Sequence, residues 1–180
     1  ILHNSERLSD MVTDLIDLSR IEYGDLKLNI NKVDLKTFID EFTLSIKSLT
    51  KKKDIEIINK SNHEEFVKAD LQALERIMNN LVDNALKYSE KGSSIVISTI
   101  KENQHIKIMV SDNGIGISDE DKNHIFDRFY RTASARASDK QGSGLGLAIV
   151  KNLTNSLNGE VGVDSKDPNG SIFWFTLPIS

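Results

Sequence analysis

The stretch HIKIMVSDNGIGIS, residues 105–118, joins an alternating apolar run to two glycines that stand two residues apart. Successive side chains of a strand point to opposite faces, so Ile106, Ile108, Val110 and Asp112 are expected to share one face. The pattern that buries three apolar side chains therefore also directs a carboxylate towards the interior. Burying a carboxylate is costly unless hydrogen-bond donors meet it. The stretch predicts a strand that ends at a polar site.

Two interpretations of this ending are open. Asp-Asn-Gly is a common turn sequence, and a simple turn predicts a second strand immediately afterwards. Instead, Ser118 followed by Asp121 three residues later is typical of a capped helix. The other interpretation is a nucleotide site, because the exocyclic amine of adenine would donate to the carboxylate. Gly114 and Gly116 would then let the backbone approach the base.

A second informative stretch is the helix predicted over about residues 70–88. On a helical wheel its apolar stripe consists of Leu74, Ile77, Met78, Leu81, Ala85 and Tyr88. Asn80, Asn84 and Lys87 fall together at the edge of this stripe. An amide oxygen suits Mg²⁺, and an ammonium group suits a phosphate. The alternative is a solvated helix flank with no ligand.

The third stretch is GSGLGLAIVK, residues 142–151, in which glycines lead from a polar loop directly into an apolar helix. The free N–H groups at the start of a helix favour phosphate. The spacing matches neither a Walker loop nor a dinucleotide-binding fingerprint. Taken alone, the stretch is a weak signal.

Composition limits the class of protein. The 180 residues are 38% hydrophobic and 28% charged, with a net charge of −4 and no cysteine. This composition predicts one globular domain with an appendage, without disulfides or a thiolate metal site. The net charge argues against nucleic acid as a partner. No apolar run is long enough to span a bilayer, and no signal peptide is evident.

The periodicities predict an ordered series of elements. They are a helix over 1–23, a strand over 26–33, a helix over 34–53, strands over 55–58 and 66–69, a helix over 70–88, a hairpin over 94–100 and 105–112, a short helix from Ser118 carrying Ile125, Phe126 and Phe129, a mobile loop over 131–143, a helix over 145–157 and strands over 160–164 and 171–178. Helices and strands mix without strict alternation. We therefore expect an α+β fold, a two-layer sandwich with helices packed on a mostly antiparallel mixed sheet, preceded by one N-terminal helix.

The N-terminal helix has apolar residues at a seven-residue spacing. Ile1, Leu8 and Leu15 occupy one seam position, and Met11 and Leu18 occupy the other. This pattern is typical of a helix that packs on a partner helix. An amphipathic helix lying on its own domain fits it equally well.

Together these segments resemble the ATP-binding domain of sensor histidine kinases, one of the Bergerat-fold ATPases. The motifs that carry the resemblance are NNLVDNALKYS, DNGIGI, FDRFYR, GSGLGLAIVK and NGSIFWFTLP, in the family's order. The resemblance covers residues 25–180. It further implies that residues 1–24 are part of the second helix of the dimerisation and histidine phosphotransfer hairpin.

The resemblance implies roles for individual residues. Asn84 would bind Mg²⁺ with Asn80 as its neighbour, and Asp112 would bind the adenine amine. The expected catalytic group is Asn80, Asn84, Lys87 and Arg131. The expected nucleotide contacts further include Tyr88, Gly114, Gly116, Ile117, Lys140, Gly142, Ser143, Gly144, Leu145, Gly146, Leu147 and Thr176. Arg128 is a further candidate for phosphate charge, and Phe126 and Phe129 are expected to anchor a lid.

One residue and one missing motif refine the expected activity. ATP-hydrolysing relatives are expected to carry a glutamate one turn before the metal asparagine, where this chain has Asn80. A neutral amide is a poor base, which favours phosphoryl transfer over hydrolysis. The phosphoacceptor motif is missing around all four histidines, which are His3, His63, His105 and His124. We therefore expect the chain to bind Mg-ATP without phosphorylating itself.

The expected function is thus the catalytic part of a two-component sensor kinase. Its γ-phosphoryl group would go to a histidine on a helix of its own or a partner protomer, and later to the receiver domain of a response regulator. The complete kinase is expected to be a cytoplasmic homodimer anchored in the membrane by segments outside this chain. The alternatives are an ATPase that drives conformational change and a non-catalytic nucleotide-binding or dimerisation module.

Overall fold

The computed structural model describes residues 2–24, 26–61, 65–137, 142–167 and 169–180. Their elements are α1 (Leu2–Glu22), β1 (Asn31–Asp34), α2 (Leu35–Lys52), β2 (Glu56–Lys60), β3 (Phe66–Ala69), α3 (Leu71–Tyr88), β4 (Ser94–Glu102), β5 (His105–Ser111), α4 (Asp119–Lys122), α5 (Ala133–Ala137), α6 (Gly146–Ser156), β6 (Val161–Ser165) and β7 (Ser171–Pro178). Lys140 and His63 lie outside the described residues.

A five-stranded sheet forms one layer, in the order β2-β4-β5-β7-β6. β2 pairs with β4 in parallel, and the other pairs in this sheet are antiparallel. The alternating pattern of β5 does bury Ile106, Ile108 and Val110, each of which is fully inaccessible. A separate pair, β1 and β3, is antiparallel. The predicted two-layer α+β sandwich is confirmed.

Helices α3 and α6 pack together and against one face of the sheet. The stripe predicted for α3 lies in the core, where Leu74, Ile77, Met78 and Leu81 are fully buried. An aspartate begins each of the two long internal helices. Asp34 accepts a hydrogen bond from the Thr37 N–H in α2, and Asp70 accepts one from the Ala73 N–H in α3. These caps satisfy N–H groups that the first turn leaves without a helical partner.

Three predicted elements are wrong in part. The strand expected over 26–33 begins only at Asn31. The Asn29 N–H donates to Asp70 Oδ2 at 2.7 Å, so this part of the chain is attached to the start of α3 instead of to a strand. The helix that begins after Ser118 ends at Lys122, before the aromatic residues that it was predicted to carry.

The predicted loop over 131–143 contains a short helix, α5. The Thr132 hydroxyl accepts from the Ala135 N–H and so satisfies a donor in its first turn. Ala133, Ala135 and Ala137 lie in this segment. The scarcity of large apolar side chains suggested a loop, but alanine is the best helix former. Residues 138–141 lie outside the described part of the chain.

Helix α1 packs on α6 through its C-terminal half. Leu18 and Ile21 are 1% and 9% exposed, whereas Val12, Leu15 and Ile16 are each about half exposed. The interpretation of an amphipathic helix lying on its own domain therefore holds for the end of α1. Among the described residues, the structure contains no helix long and apolar enough to span a membrane.

Candidate functional site

The sheet edge, α3 and the start of α6 enclose a cavity of about 340 Å³. Cavities of this size are typical of small-molecule sites. The predicted site residues that line it are Asn80, Asn84, Lys87, Tyr88, Asp112, Gly116, Ile117, Arg131, Gly142, Ser143, Gly144, Gly146 and Leu147. Three stretches that are far apart in sequence therefore meet at one cavity.

Asp112 lies just beyond the end of β5 and is 4% exposed. Its Oδ1 accepts hydrogen bonds from the Gly114 N–H at 2.8 Å and the Ser171 N–H at 3.2 Å. Burial raises the pKa of the Asp112 carboxyl, and these two donors and the Lys166 ammonium oppose that shift. The fold thus tolerates a buried carboxylate by supplying donors to it, as the sequence pattern required.

Gly114 itself does not line the cavity. A Cβ at this position would lie 2.8 Å from the Tyr88 carbonyl oxygen and 2.9 Å from Asp112 Oδ1. A side chain at this position would therefore collide with the end of α3, and the expected contact of Gly114 with the base stays a prediction. Gly116 does reach the cavity, and its φ of +74° favours glycine.

The polar edge predicted for α3 faces the cavity. The side-chain amide of Asn80 donates to the Arg76 carbonyl oxygen at 2.9 Å. A Cβ at Gly146 would lie 2.7 Å from Asn80 Oδ1, so a glycine lets α6 begin against this amide. The Lys87 ammonium lies 5.4 Å from the ring centroid of Tyr88. Amide oxygens and a cation are thus presented along one edge of the cavity.

The glycine-rich segment forms the opposite edge. Gly144 has a φ of +74°, and its carbonyl oxygen accepts from the Phe129 N–H at 2.9 Å. Helix α6 begins at Gly146 without a side-chain cap among the described residues. Gly146 and Leu147 of its first turn line the cavity, and the start of a helix suits an anion.

Of the two arginines expected near the phosphates, only one lines the cavity. Arg131 lines the cavity, and its guanidinium donates to the Ala135 carbonyl oxygen of α5. Arg131 also opposes the rise that burial causes in the pKa of Tyr88. Arg128 is not among the lining residues.

The two phenylalanines predicted to anchor a lid behave differently. Phe126 packs against the core. Phe129 is 58% exposed and has a φ of +59°. Its ring is therefore largely exposed, and its expected part in anchoring a lid stays a prediction. Its backbone N–H connects it to the Gly144 carbonyl oxygen.

Two further predicted contacts lie away from the cavity lining. Leu145 is 1% exposed and belongs to the core. Thr176 lies on β7 opposite Lys107, and its hydroxyl accepts from the Glu160 N–H at 2.8 Å. The structure therefore does not bring Thr176 to the site. Strand β7 contributes Ser171 and Phe173 instead.

Several lining residues were missed in the sequence. They are Asp14, Asp83, Ile115, Ile125, Tyr130, Thr132, Ala135, Ser171 and Phe173. Ser171 could have been found from strand pairing, because Ser111 of β5 lies opposite Ile172 of β7. That register places the next pair of residues, Asp112 and Ser171, together. Asp14 has no such local signal, since it depends on where α1 packs.

Fold and site together define an ATP-binding domain of the histidine-kinase type. The family of histidine kinase-, DNA gyrase B-, and HSP90-like ATPases matches residues 69–180. The chain belongs to this family, and its relatives are sensor histidine kinases.

The sensor-like histidine kinase SenX3 of Mycobacterium tuberculosis is 39% identical over 178 residues, which cover 99% of this chain and 43% of SenX3. The sensor histidine kinase WalK of Bacillus subtilis is 34% identical over 183 residues, covering 98% of this chain and 29% of WalK. The chain thus spans less than half the length of these relatives.

Solved structures agree with this assignment. Full-length ShkA in complex with AMPPNP superimposes with a TM-score of 0.86 at 26% identity, over 99% of this chain and 37% of ShkA. The histidine kinase AdeS of Acinetobacter baumannii gives a TM-score of 0.77 at 28% identity, over 99% of this chain and 81% of AdeS. Both cover α1 as well as the sandwich.

Proposed function

We propose that this chain binds Mg-ATP and donates the γ-phosphoryl group to a histidine outside the chain. The observation that carries the proposal is the convergence of a buried carboxylate, an amide edge and a glycine-rich helix start on one cavity. In this assignment residues 25–180 form the catalytic domain. Residues 1–24 belong to the dimerisation and phosphotransfer hairpin.

The adenine end of the cavity is assigned to Asp112. Both of its described donors bind Oδ1, and the carboxylate lines the cavity. A buried carboxylate accepts a hydrogen bond from an exocyclic amine more readily than it tolerates a carbonyl oxygen. We therefore expect adenine to be preferred over guanine, whose corresponding group is a carbonyl.

The phosphate end is assigned to the edge of α3 and the start of α6. Lys87, Arg131 and the N–H groups that begin α6 would hold the phosphates in line for transfer. Asn84 would supply a protein oxygen to Mg²⁺, with phosphate oxygens and water as the other ligands. Bound Mg²⁺ would neutralise phosphate charge.

Transfer is favoured over hydrolysis because of Asn80. Its amide nitrogen donates to the Arg76 carbonyl oxygen, and a neutral amide cannot deprotonate a water. The acceptor would be a histidine on a helix of its own or a partner protomer, and the later acceptor a receiver domain of a response regulator. A homodimer anchored in the membrane is proposed for the complete kinase. Steady ATP turnover by the chain alone would instead favour an ATPase that drives conformational change.

Calorimetry with Mg-ATP tests the proposal. Asn84→Ala and Asp112→Ala should each weaken binding about tenfold or more, since each removes a hydrogen bond or metal contact within the cavity. Asn155→Ala is the matched control, because Asn155 is exposed on the far part of α6. Mg-GTP should bind more weakly than Mg-ATP. Unchanged binding in both cavity variants would overturn the proposal.

A further inference from the structure

The connection between β6 and β7 passes directly beside the buried carboxylate of the cavity. The Asp112 N–H donates to the Ser171 carbonyl oxygen at 2.9 Å, and the Ser171 N–H donates to Asp112 Oδ1 at 3.2 Å. A Cβ at Gly170 would collide with the Asp112 carbonyl oxygen. The Lys166 N–H in turn donates to the Gly170 carbonyl oxygen at 3.2 Å. The hairpin that supplies a donor to the Asp112 carboxylate therefore also brings Lys166 to it.

The Lys166 ammonium group binds two consecutive residues of the turn that follows β5. Its Nζ donates to the Asp112 carbonyl oxygen at 3.2 Å and to Asn113 Oδ1. Because the lysine is half-buried, these two hydrogen bonds are partly shielded from water. Lys166 does not line the cavity. It can therefore affect a bound base only through the turn that it holds.

Lys166 acts on Asp112 through its charge as well as through its hydrogen bonds. Burial raises the pKa of the Asp112 carboxyl, and the Lys166 ammonium group is one of three groups that oppose this rise. The other two are the N–H groups of Gly114 and Ser171, which are retained when a side chain is substituted. Lys166 is thus the side chain that helps this buried acid to stay ionised.

Other ionisable side chains surround the site. Those that line the cavity are Asp14, Asp83, Lys87, Tyr88, Tyr130 and Arg131. Asp164 and Asp167 lie on the same hairpin as Lys166 and are exposed, so solvent screens their charges. Among the described residues, Lys166 supplies the charge that opposes the rise in the pKa of Asp112. A substitution of Lys166 therefore removes that charge and leaves the cavity lining unchanged in composition.

The protonation state of Asp112 determines which base it can bind. An ionised carboxylate only accepts hydrogen bonds, and the exocyclic amine of adenine donates one. A protonated carboxyl can donate instead, and the corresponding carbonyl oxygen of guanine accepts. A cation that favours the ionised form therefore favours adenine over guanine.

We propose that Lys166 is a positioning residue for base recognition, which orients the turn at Asp112, keeps its carboxylate an acceptor and so strengthens the preference for adenine over guanine. The inference rests on the proposed function for the identity of the ligand. It adds to that function a residue that lies outside the cavity lining and outside the motifs recognised in the sequence.

Lys166→Met tests the inference, because methionine is also long and unbranched but has no charge and no donor. Competition against a fluorescent ATP analogue measures the affinities for Mg-ATP and Mg-GTP. At pH 7 Mg-ATP should bind about fivefold more weakly and Mg-GTP equally well, so the ratio of the two affinities should fall about fivefold. Lys166→Arg keeps the charge and should keep this ratio within about twofold of the wild type.

Lys107→Met is the matched control. Lys107 is also half-buried, but it lies near the opposite end of β5 from Asp112. This variant should leave the ATP-to-GTP ratio unchanged. A double-mutant cycle gives a second control: once Asp112→Asn has removed the carboxylate, Lys166→Met should no longer change the ratio.

The titration of Asp112 tests the effect of the charge without any nucleotide. The carboxyl ¹³C resonance of Asp112 is identified by its loss in the Asp112→Asn chain. The pKa of this carboxyl should be higher in Lys166→Met than in the wild type, since a cation that favours the ionised form has been removed.

The outcomes separate the inference from the proposed function. An ATP-to-GTP ratio that Lys166→Met leaves unchanged, whether both affinities fall together or neither falls, would overturn the inference and leave the function standing. An unchanged pKa of Asp112 would have the same consequence. Failure of the wild-type chain to bind Mg-ATP would overturn the proposed function and the inference with it.

Discussion

Asp112 is buried just beyond the end of β5, and its effects on stability and on nucleotide affinity can be measured separately. Because burial raises its pKa, the folded chain takes up a proton on this group before the unfolded chain does. The ionised carboxylate therefore lowers the free energy of unfolding by its full amount at pH values above the pKa of the folded chain. This loss of stability disappears as the pH falls through the folded pKa towards the ordinary value of 3.8.

Asp112→Asn should accordingly leave the free energy of unfolding at pH 7 equal to or up to about 1 kcal/mol above that of the wild type. The amide oxygen can still accept from Gly114 and Ser171. The difference should close on acidification, while affinity for Mg-ATP should fall about tenfold at pH 7. Denaturant unfolding at several pH values and calorimetry measure the two effects. A variant clearly less stable than wild type at pH 7 would contradict this account of the carboxylate.

Gly144 and Gly92 provide a second test at the scale of residues. Both have positive φ, +74° and +77°, but only Gly144 is closely packed. A Cβ there would lie 2.8 Å from the Phe129 backbone, whereas nothing lies within 4 Å of one at Gly92. Gly92→Ala should lower the free energy of unfolding by about 1 kcal/mol, because alanine disfavours the left-handed backbone conformation.

Gly144→Ala should lower the free energy of unfolding by about 1–2 kcal/mol more than Gly92→Ala does. The reason is that the new Cβ would meet the backbone of Phe129, which has little freedom to move. Urea unfolding followed by fluorescence of Trp174, the one tryptophan of the sequence, provides the measurement. Equal losses in the two variants would show that the contact with Phe129 does not constrain the glycine segment.

At the scale of elements, the best predicted parts are those whose periodicity is long or whose ends have caps. Helix α3 was predicted from its apolar stripe, and the structure buries that stripe. The strand expected over 26–33 has an equally clear alternation, yet only its last three residues belong to β1. Alternation shows which side chains could be buried together, but the pairing of a strand depends on distant partners.

Asp70 also has two partners, the Ala73 N–H at 2.9 Å and the Asn29 N–H at 2.7 Å. Asp70→Ala should lower the free energy of unfolding by about 1–2 kcal/mol, because it removes the cap of α3 and releases the preceding segment. Glu75→Ala, an exposed position on the same helix, should change it by less than about 0.5 kcal/mol. Similar effects in the two variants would contradict the importance of the cap.

At the scale of the whole molecule, three stretches predicted separately meet at one cavity. The motifs predicted most of its lining because each has a local sequence requirement, such as Gly144 with positive φ or Asp112 at the end of β5. Thr176 and Phe129 do not line the cavity, and the lining residues Ser171 and Asp14 were missed. These positions depend on strand register and helix packing, which only the assembled fold determines.

The central claim is that the carboxylate, the amide edge and the glycine segment surround one ATP molecule. A crystal structure of the chain with Mg-AMPPNP measures this most directly. We predict the adenine amine within hydrogen-bond distance of Asp112, and the phosphates between Asn84, Lys87 and the start of α6. A nucleotide bound elsewhere, or one whose base and phosphates contact neither group, would contradict the account.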